Sequence, residues 1–126
     1  IDLGPGSARV LEWAAWLAAG LGAALSAIHV VACAALRSGE TSASDEIQRA
    51  IENARDRLSQ LAAAAGAQAE IAVTGGDAPA IICRTAQELP AGLLVIGRGS
   101  AAGMFGRLRT NAYAIIRQSP CPVMSV

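Results

Sequence analysis

Lysine is missing altogether: all ten basic residues of this 126-residue sequence are arginine, and ten carboxylates balance them. A phosphate loop of the Gly-x-x-x-x-Gly-Lys-Ser/Thr type needs that lysine to reach the β and γ phosphates, so it is excluded. A phospho-receiver domain, which needs a lysine on its last strand beside clustered acids, is excluded with it. Aromatic residues make up only 3% of the chain, a poor basis for a surface on which nucleic-acid bases stack. Zero net charge gives no electrostatic reason to expect a nucleic acid or an anionic membrane as partner. Any Ser-His-Asp or Cys-His device would have to use the single histidine, His29, yet that residue lies within an apolar run and reads as a hydrogen-bonded core histidine. The three cysteines, Cys33, Cys83 and Cys121, are widely spaced, with no second Cys or His at zinc-ligand distance. They read as reduced, buried small hydrophobes of a cytoplasmic protein, and no metal site is expected.

Charge is also missing from stretches of the chain. Between Trp13 and Leu36 there is no Asp, Glu, Arg or Lys, long enough to raise a membrane span. Gly20, Gly22 and His29 interrupt the stretch, and its apolar period changes midway from helical to strand-like, so it reads as a buried helix followed by a buried strand. Carboxylates stop at Glu88, whereas Arg98, Arg107, Arg109 and Arg117 follow. The C-terminal third is therefore locally positive and suits a small anion.

What is present is apolar and periodic. A hydrophobic content of 53% supplies one sizeable core, and residues 1–126 are read as one domain. Ser7 opens a helix with Val10, Trp13, Ala14 and Leu17 on one face, closed by Gly20 to Gly22. Trp13 and Trp16 are expected to pack in or near the core. Ala24 to Val31 is a buried parallel strand. Arg37 to Ser44 is a loop ending in a capping box, Ser42 with Asp45, before an amphipathic helix carrying Ile47, Ile51, Ala54, Leu58, Leu61 and Ala65 to Gly66. Gln68 to Thr74 is a strand, after which Asp77 and Pro79 start a helix that runs to Leu89. Leu93 to Ile96 is a strand ending at Gly97. A glycine-containing loop follows, Thr110 caps a helix through Ile116, and Pro122 to Val126 is the last strand.

Strands alternating with helices imply right-handed crossovers and a doubly wound parallel sheet with helices on both faces. Ile1 and Asp2 read as the end of a first strand whose earlier residues are lost from this record, giving five strands in the order 3-2-1-4-5. Ligands in such sheets sit beyond the carboxyl ends of the strands at the switch point. Two loops should meet there, Asp2 to Ser7 and Gly97 to Arg109. Glycines at 97, 99 and 103 let backbone N–H groups approach an anion, with the helix N-terminus at Thr110 and Asn111 adding its dipole; they equally supply plain turn geometry, with Thr110 capping its own helix. Asp2 can read a ligand or tie its own loop.

The segment LLVIGRGSAAGMFGRLRTNAYAIIRQSPCPVMSV resembles the C-terminal signature of the universal stress proteins, a strand, Gly-x-x-Gly, nine residues, Gly-Ser/Thr, a helix and a strand entered near Pro-Cys-Pro-Val. Asp2 stands where that family has its first-strand aspartate. LEWAAWLA resembles its first helix, SAIHVV its second strand and GGDAPAII the entry to its third helix. The resemblance implies ATP or another adenine nucleotide, with Asp2 and the backbone of Val30 at the adenine, and Gly97, Gly99 and Thr110 at ribose and phosphates. It also implies a homodimer paired through Val123 to Val126. Two departures bear on this. Gly97-Arg98-Gly99 is one residue shorter than Gly-x-x-Gly, and Arg109 replaces a glycine. Arg98, Arg107 and Arg109 can compensate as guanidinium donors to phosphate or fill the pocket. Gly92 stands where the family carries an aspartate, a matter of turn structure. The expected function is nucleotide binding in a homodimer; the alternative is a nucleotide-free interaction module of the same fold. No catalytic residue is assigned, and a slow ATPase is the most that Asp2 alone would support.

Overall fold

The computed structural model describes residues 1–32, 41–98 and 107–126, and leaves the side chains of 41–43 and 107–110 undescribed. Among the described residues four helices and four strands alternate: α1 Ser7–Leu21, β1 Leu25–Val31, α2 Thr41–Ala64, β2 Ala69–Gly75, α3 Ala78–Glu88, β3 Leu94–Ile96, α4 Arg107–Gln118 and β4 Val123–Ser125.

In α1 the buried stripe is Ser7, Val10, Leu11 and Ala14, the helical spacing that turns one face to the core. Gly22 ends the helix at φ 60°, and the Ala23 N–H closes on the Ala18 carbonyl at 2.9 Å. Only glycine adopts that left-handed conformation without steric cost. The tryptophans lie off the buried stripe: Trp13 is 40% and Trp16 66% exposed, correcting their expected place in or near the core. Trp16 is about two and a half turns past Ser7 at ~3.6 residues per turn, and so on the opposite side of the helix. The two indoles instead pack edge to face, centroids 5.6 Å apart. No helix among the described residues is long and apolar enough to cross a membrane; the charge-free stretch divides into the end of α1 and the whole of β1.

Helix α2 starts at Thr41, so Ser42 lies inside it and the capping box at Ser42 and Asp45 does not mark its start. A side-chain cap is worth about 1 kcal/mol, and helix growth gains a hydrogen bond for each residue it fixes. The expected loop from Arg37 therefore falls on 37–40, outside the described residues, and on the first turn of α2. Ala54, Leu58 and Ala62 of α2 are buried, and Leu58, fully enclosed, joins Leu11, Ala27, Ala54 and Val73 in the main core. Asp77 caps α3, its Oδ2 accepting from the Ala80 N–H at 3.2 Å, with Pro79 in the first turn.

β1 and β2 pair in parallel, from Leu25 opposite Ala69 to Val31 opposite Gly75. β3 and β4 pair in parallel from Leu94 opposite Val123 to Ile96 opposite Ser125. These are the 3-2 and 4-5 neighbours of the expected order, standing as two two-stranded sheets. Ile1 and Asp2 form no strand, although the Ile1 nitrogen donates to the Ile28 carbonyl at 2.9 Å. With one strand neighbour among the described residues, β1 is mostly half-buried rather than buried, Ala27 excepted. α2 packs on β1, β2 and α1, while α3 packs on β1 and α4.

Gly76 makes the turn from β2 to α3 at φ 142°, and a Cβ there would lie 2.7 Å from Ile81 Cδ1. Gly76→Ala combines that clash with a backbone conformation that costs an L-residue about 1–3 kcal/mol. The expected result is a lower urea midpoint with an unchanged slope; an unchanged midpoint would show that the turn relaxes freely.

Candidate functional site

The strands are parallel within each pair, and the ends of β1, β3 and β4 together with the start of α3 open on one cavity of about 1100 Å³. It is lined by His29 to Val31, by Ile96 to Arg98 and by Met124 to Val126. This is the crevice outside the carboxyl ends of strands where α/β proteins hold ligands.

Asp2 lines the cavity. Its Oδ1 accepts from the Gly4 N–H at 2.9 Å and from the Ser7 hydroxyl at 2.8 Å. Gly4 is close enough that a Cβ would lie 3.1 Å from that oxygen, so the tight turn is built around the carboxylate. Partial burial would raise the Asp2 carboxyl, but the hydrogen bonds from Gly4 and Ser7 oppose it, and the group is held below its usual range. Asp2 thus stays ionised at neutral pH. Leu3 turns at φ 59°, a left-handed conformation that costs a side-chain-bearing residue roughly 1–2 kcal/mol. The Arg57 guanidinium donates to its carbonyl at 3.3 Å. His29 is half-buried and donates from Nδ1 to the Ile1 carbonyl at 2.8 Å, so it is hydrogen-bonded as expected, with its ring beside the cavity.

Gly97 and Arg98 follow β3 and are exposed. The Arg98 N–H donates to the Val126 carbonyl at 3.1 Å, extending the β3–β4 ladder and fixing where the guanidinium stem leaves the backbone. Of the residues singled out in the sequence, Asp2, Val30, Gly97, Arg98 and Asn111 meet at this one cavity. Gly99 lies outside the described residues. Arg109 and Thr110 lie in the first turn of α4, their side chains undescribed. Thr110 is therefore not the residue that caps this helix: α4 begins three residues earlier, at Arg107, because Arg107, Leu108 and Arg109 are all tolerant helix formers.

Sequence reasoning missed Arg9, Trp13 and Asp77, which also border the cavity. Arg9 follows the Asp2–Ser7 turn by less than one helical turn, a signal that was available. Asp77 was legible only as a cap. The charged rim is mixed, with carboxylates at Asp2 and Asp77 and guanidinium groups at Arg9 and Arg98. Such a set can accept from an amine and donate to an anion within one cleft. Among the described residues no three His, Cys, Asp or Glu side chains come together as metal ligands.

Residues 1–126 match the family model of the universal stress protein family. Among solved structures, a universal stress protein in complex with cAMP is 27% identical, with a TM-score of 0.63 over all of this chain and 91% of its own. Universal stress protein UspA from Lactobacillus plantarum, at 19% identity, superposes with a TM-score of 0.75 over 100% of this chain and 92% of its own. The universal stress protein from Archaeoglobus fulgidus in complex with dAMP is 21% identical, with a TM-score of 0.66 over 99% and 90%. No curated protein sequence matches the chain.

Proposed function

Because this chain belongs to the universal stress protein family, we propose that its cavity binds an adenine nucleotide, ATP or a relative. The observation that carries this reading is that the ionised Asp2 carboxylate and the Gly97–Arg98 segment line one cavity at the strand ends. Asp2 uses Oδ1 for its own loop; Oδ2 accepts from the exocyclic amine of adenine, aided by the backbone of Val30. Gly97, Arg98, Gly99 and the first turns of α4, with Arg109, Thr110 and Asn111, take ribose and phosphates through N–H groups and guanidinium charge. The cAMP and dAMP complexes of similar proteins support an adenine nucleotide as the class.

In this proposal the chain is a cytoplasmic homodimer. Its sheet is the five-stranded 3-2-1-4-5 arrangement, and the outer edge of β4, Val123 to Val126, pairs across a two-fold axis, which removes an exposed strand edge. Binding, and no chemical step, is what the proposal assigns. A second reading, a nucleotide-free interaction module, is favoured by one specific observation: the first turn of α4 holds Arg107 and Arg109 where a helix end that approaches phosphate closely would carry glycine.

Titration calorimetry with ATP and with AMP separates the two. Asp2→Asn keeps an oxygen for the Gly4 and Ser7 bonds but removes the charged acceptor. A charge-assisted hydrogen bond is worth about 1.5–3 kcal/mol, so Kd should rise roughly 10- to 100-fold. Thr110→Ala should weaken ATP as well. Absence of heat at millimolar nucleotide would discard the nucleotide site and leave the interaction module.

A further inference from the structure

Two of the cysteines that are far apart in sequence converge on one helical turn. Cys83, midway along α3, directs Sγ at the Ile115 carbonyl of α4, 3.8 Å away. That same carbonyl accepts from the Ser119 N–H at 2.8 Å. Ser119 in turn touches Cys121: the serine hydroxyl donates to the Cys121 carbonyl at 2.7 Å, takes the Cys121 N–H at 3.3 Å and lies 3.7 Å from its Sγ. Both thiols are free and half-buried, reachable by a small oxidant and shielded from large ones. Their burial is thus less than the sequence led one to expect; burial first, and the Cys121 thiol second, push the Cys83 thiol above its ordinary range.

We propose that Cys83 and Cys121 form a reversible dithiol–disulfide pair, oxidised by a small hydroperoxide, that clamps α3 to the turn between α4 and β4. Cys83, held as a thiol, is the resolving partner, and Cys121 reacts first. The Cys121 thiolate attacks a peroxide oxygen, the O–O bond breaks, and hydroxide leaves to be protonated to water, with Cys121 now a sulfenic acid. The Cys83 sulfur then attacks the sulfenic sulfur. The S–O bond breaks, the Cys83 proton and the hydroxyl depart as a second water, and the S–S bond forms. Two thiols lose two electrons and hydrogen peroxide gains them. The clamp would bear on the cavity, since Ile82, beside Cys83, and Ile115, against it, both line that space.

Trypsin separates the three cysteines, because cleavage after Arg9, Arg37, Arg57, Arg84 and Arg117 places Cys33, Cys83 and Cys121 in residues 10–37, 58–84 and 118–126. The native chain is treated with hydrogen peroxide, its remaining thiols are alkylated, and it is digested without reductant. Residues 58–84 should appear joined to 118–126, at a yield independent of protein concentration, and separate again with dithiothreitol. In Cys83→Ser, dimedone should label Cys121. Peptides that stay apart with both thiols alkylated or oxidised singly would overturn the proposal. So would linkage to the Cys33 peptide, linkage that grows with protein concentration, or a Cys83→Ser protein whose Cys121 gives no dimedone adduct.

Discussion

Leu58→Ala should cost this fold about 2–5 kcal/mol, a large part of the roughly 5–15 kcal/mol that holds a domain of this size together. Leu58 has no exposed surface and lies among Leu11, Ala27, Ala54 and Val73. The loss has a transfer component and a cavity component, and the second depends on whether neighbours can close in. Two of the four are alanines, which have no side-chain reach, so the hole should stay open and the cost should fall in the upper half of the range. Urea unfolding measures it as a lowered midpoint. Leu61→Ala, one turn on at a half-buried position, should cost clearly less. A Leu58→Ala protein within about 1 kcal/mol of the parent would mean that this cluster is not the main core.

Asp2→Ala should produce the next largest loss, about 1–3 kcal/mol, although the residue itself is exposed. Ser7 is only 1% exposed, and its hydroxyl donates to the Asp2 carboxylate. Removing the acceptor leaves that buried hydroxyl without its partner and frees the Gly4 N–H as well. The same bonds carry a pH signature. The Asp2 carboxyl is held below its unfolded value in the folded protein. Its contribution is therefore fully present above the unfolded pKa, about 3.9, and is lost as pH falls through the lower folded value. Urea midpoints from pH 7 down to pH 3 should fall less steeply in Asp2→Ala than in the parent at the acid end. Parallel profiles would place the acid sensitivity elsewhere.

Much of this was written in the residues, because local physics decided it. The Asp77 cap, the stop at Gly22 and the α2 stripe through Ala54 and Leu58 each follow from a side chain or a backbone preference acting over one or two turns. The starts of α2 and α4 were misplaced by a few residues because Thr41 and Arg107 carry no strong signal, and cooperative growth ran past the expected caps at Ser42 and Thr110. Trp13 and Trp16 were misassigned to the interior because an alanine-rich helix tolerates several rotations of its apolar stripe, and only packing against β1 and α2 selects one. At the site, Asp2, Val30, Gly97, Arg98 and Asn111 were legible through resemblance and strand-end logic. The bonds from Gly4 and Ser7 to Asp2, and the arrival of Arg9 and Asp77 at the same cavity, depend on how loops fold back in space. So does the approach of Cys83 and Cys121 to the C-terminal end of α4.

The edge-to-face indoles have a use beyond packing. They are the only two tryptophans in the chain, both on α1, and Trp13 borders the cavity. Tryptophan emission from this protein therefore originates on α1, with Trp13 beside the cleft. Two like chromophores 5.6 Å apart also exchange excitation, so the more solvated Trp16 colours the spectrum of its neighbour. Tryptophan fluorescence will register the ordering of the cleft and the melting of α1.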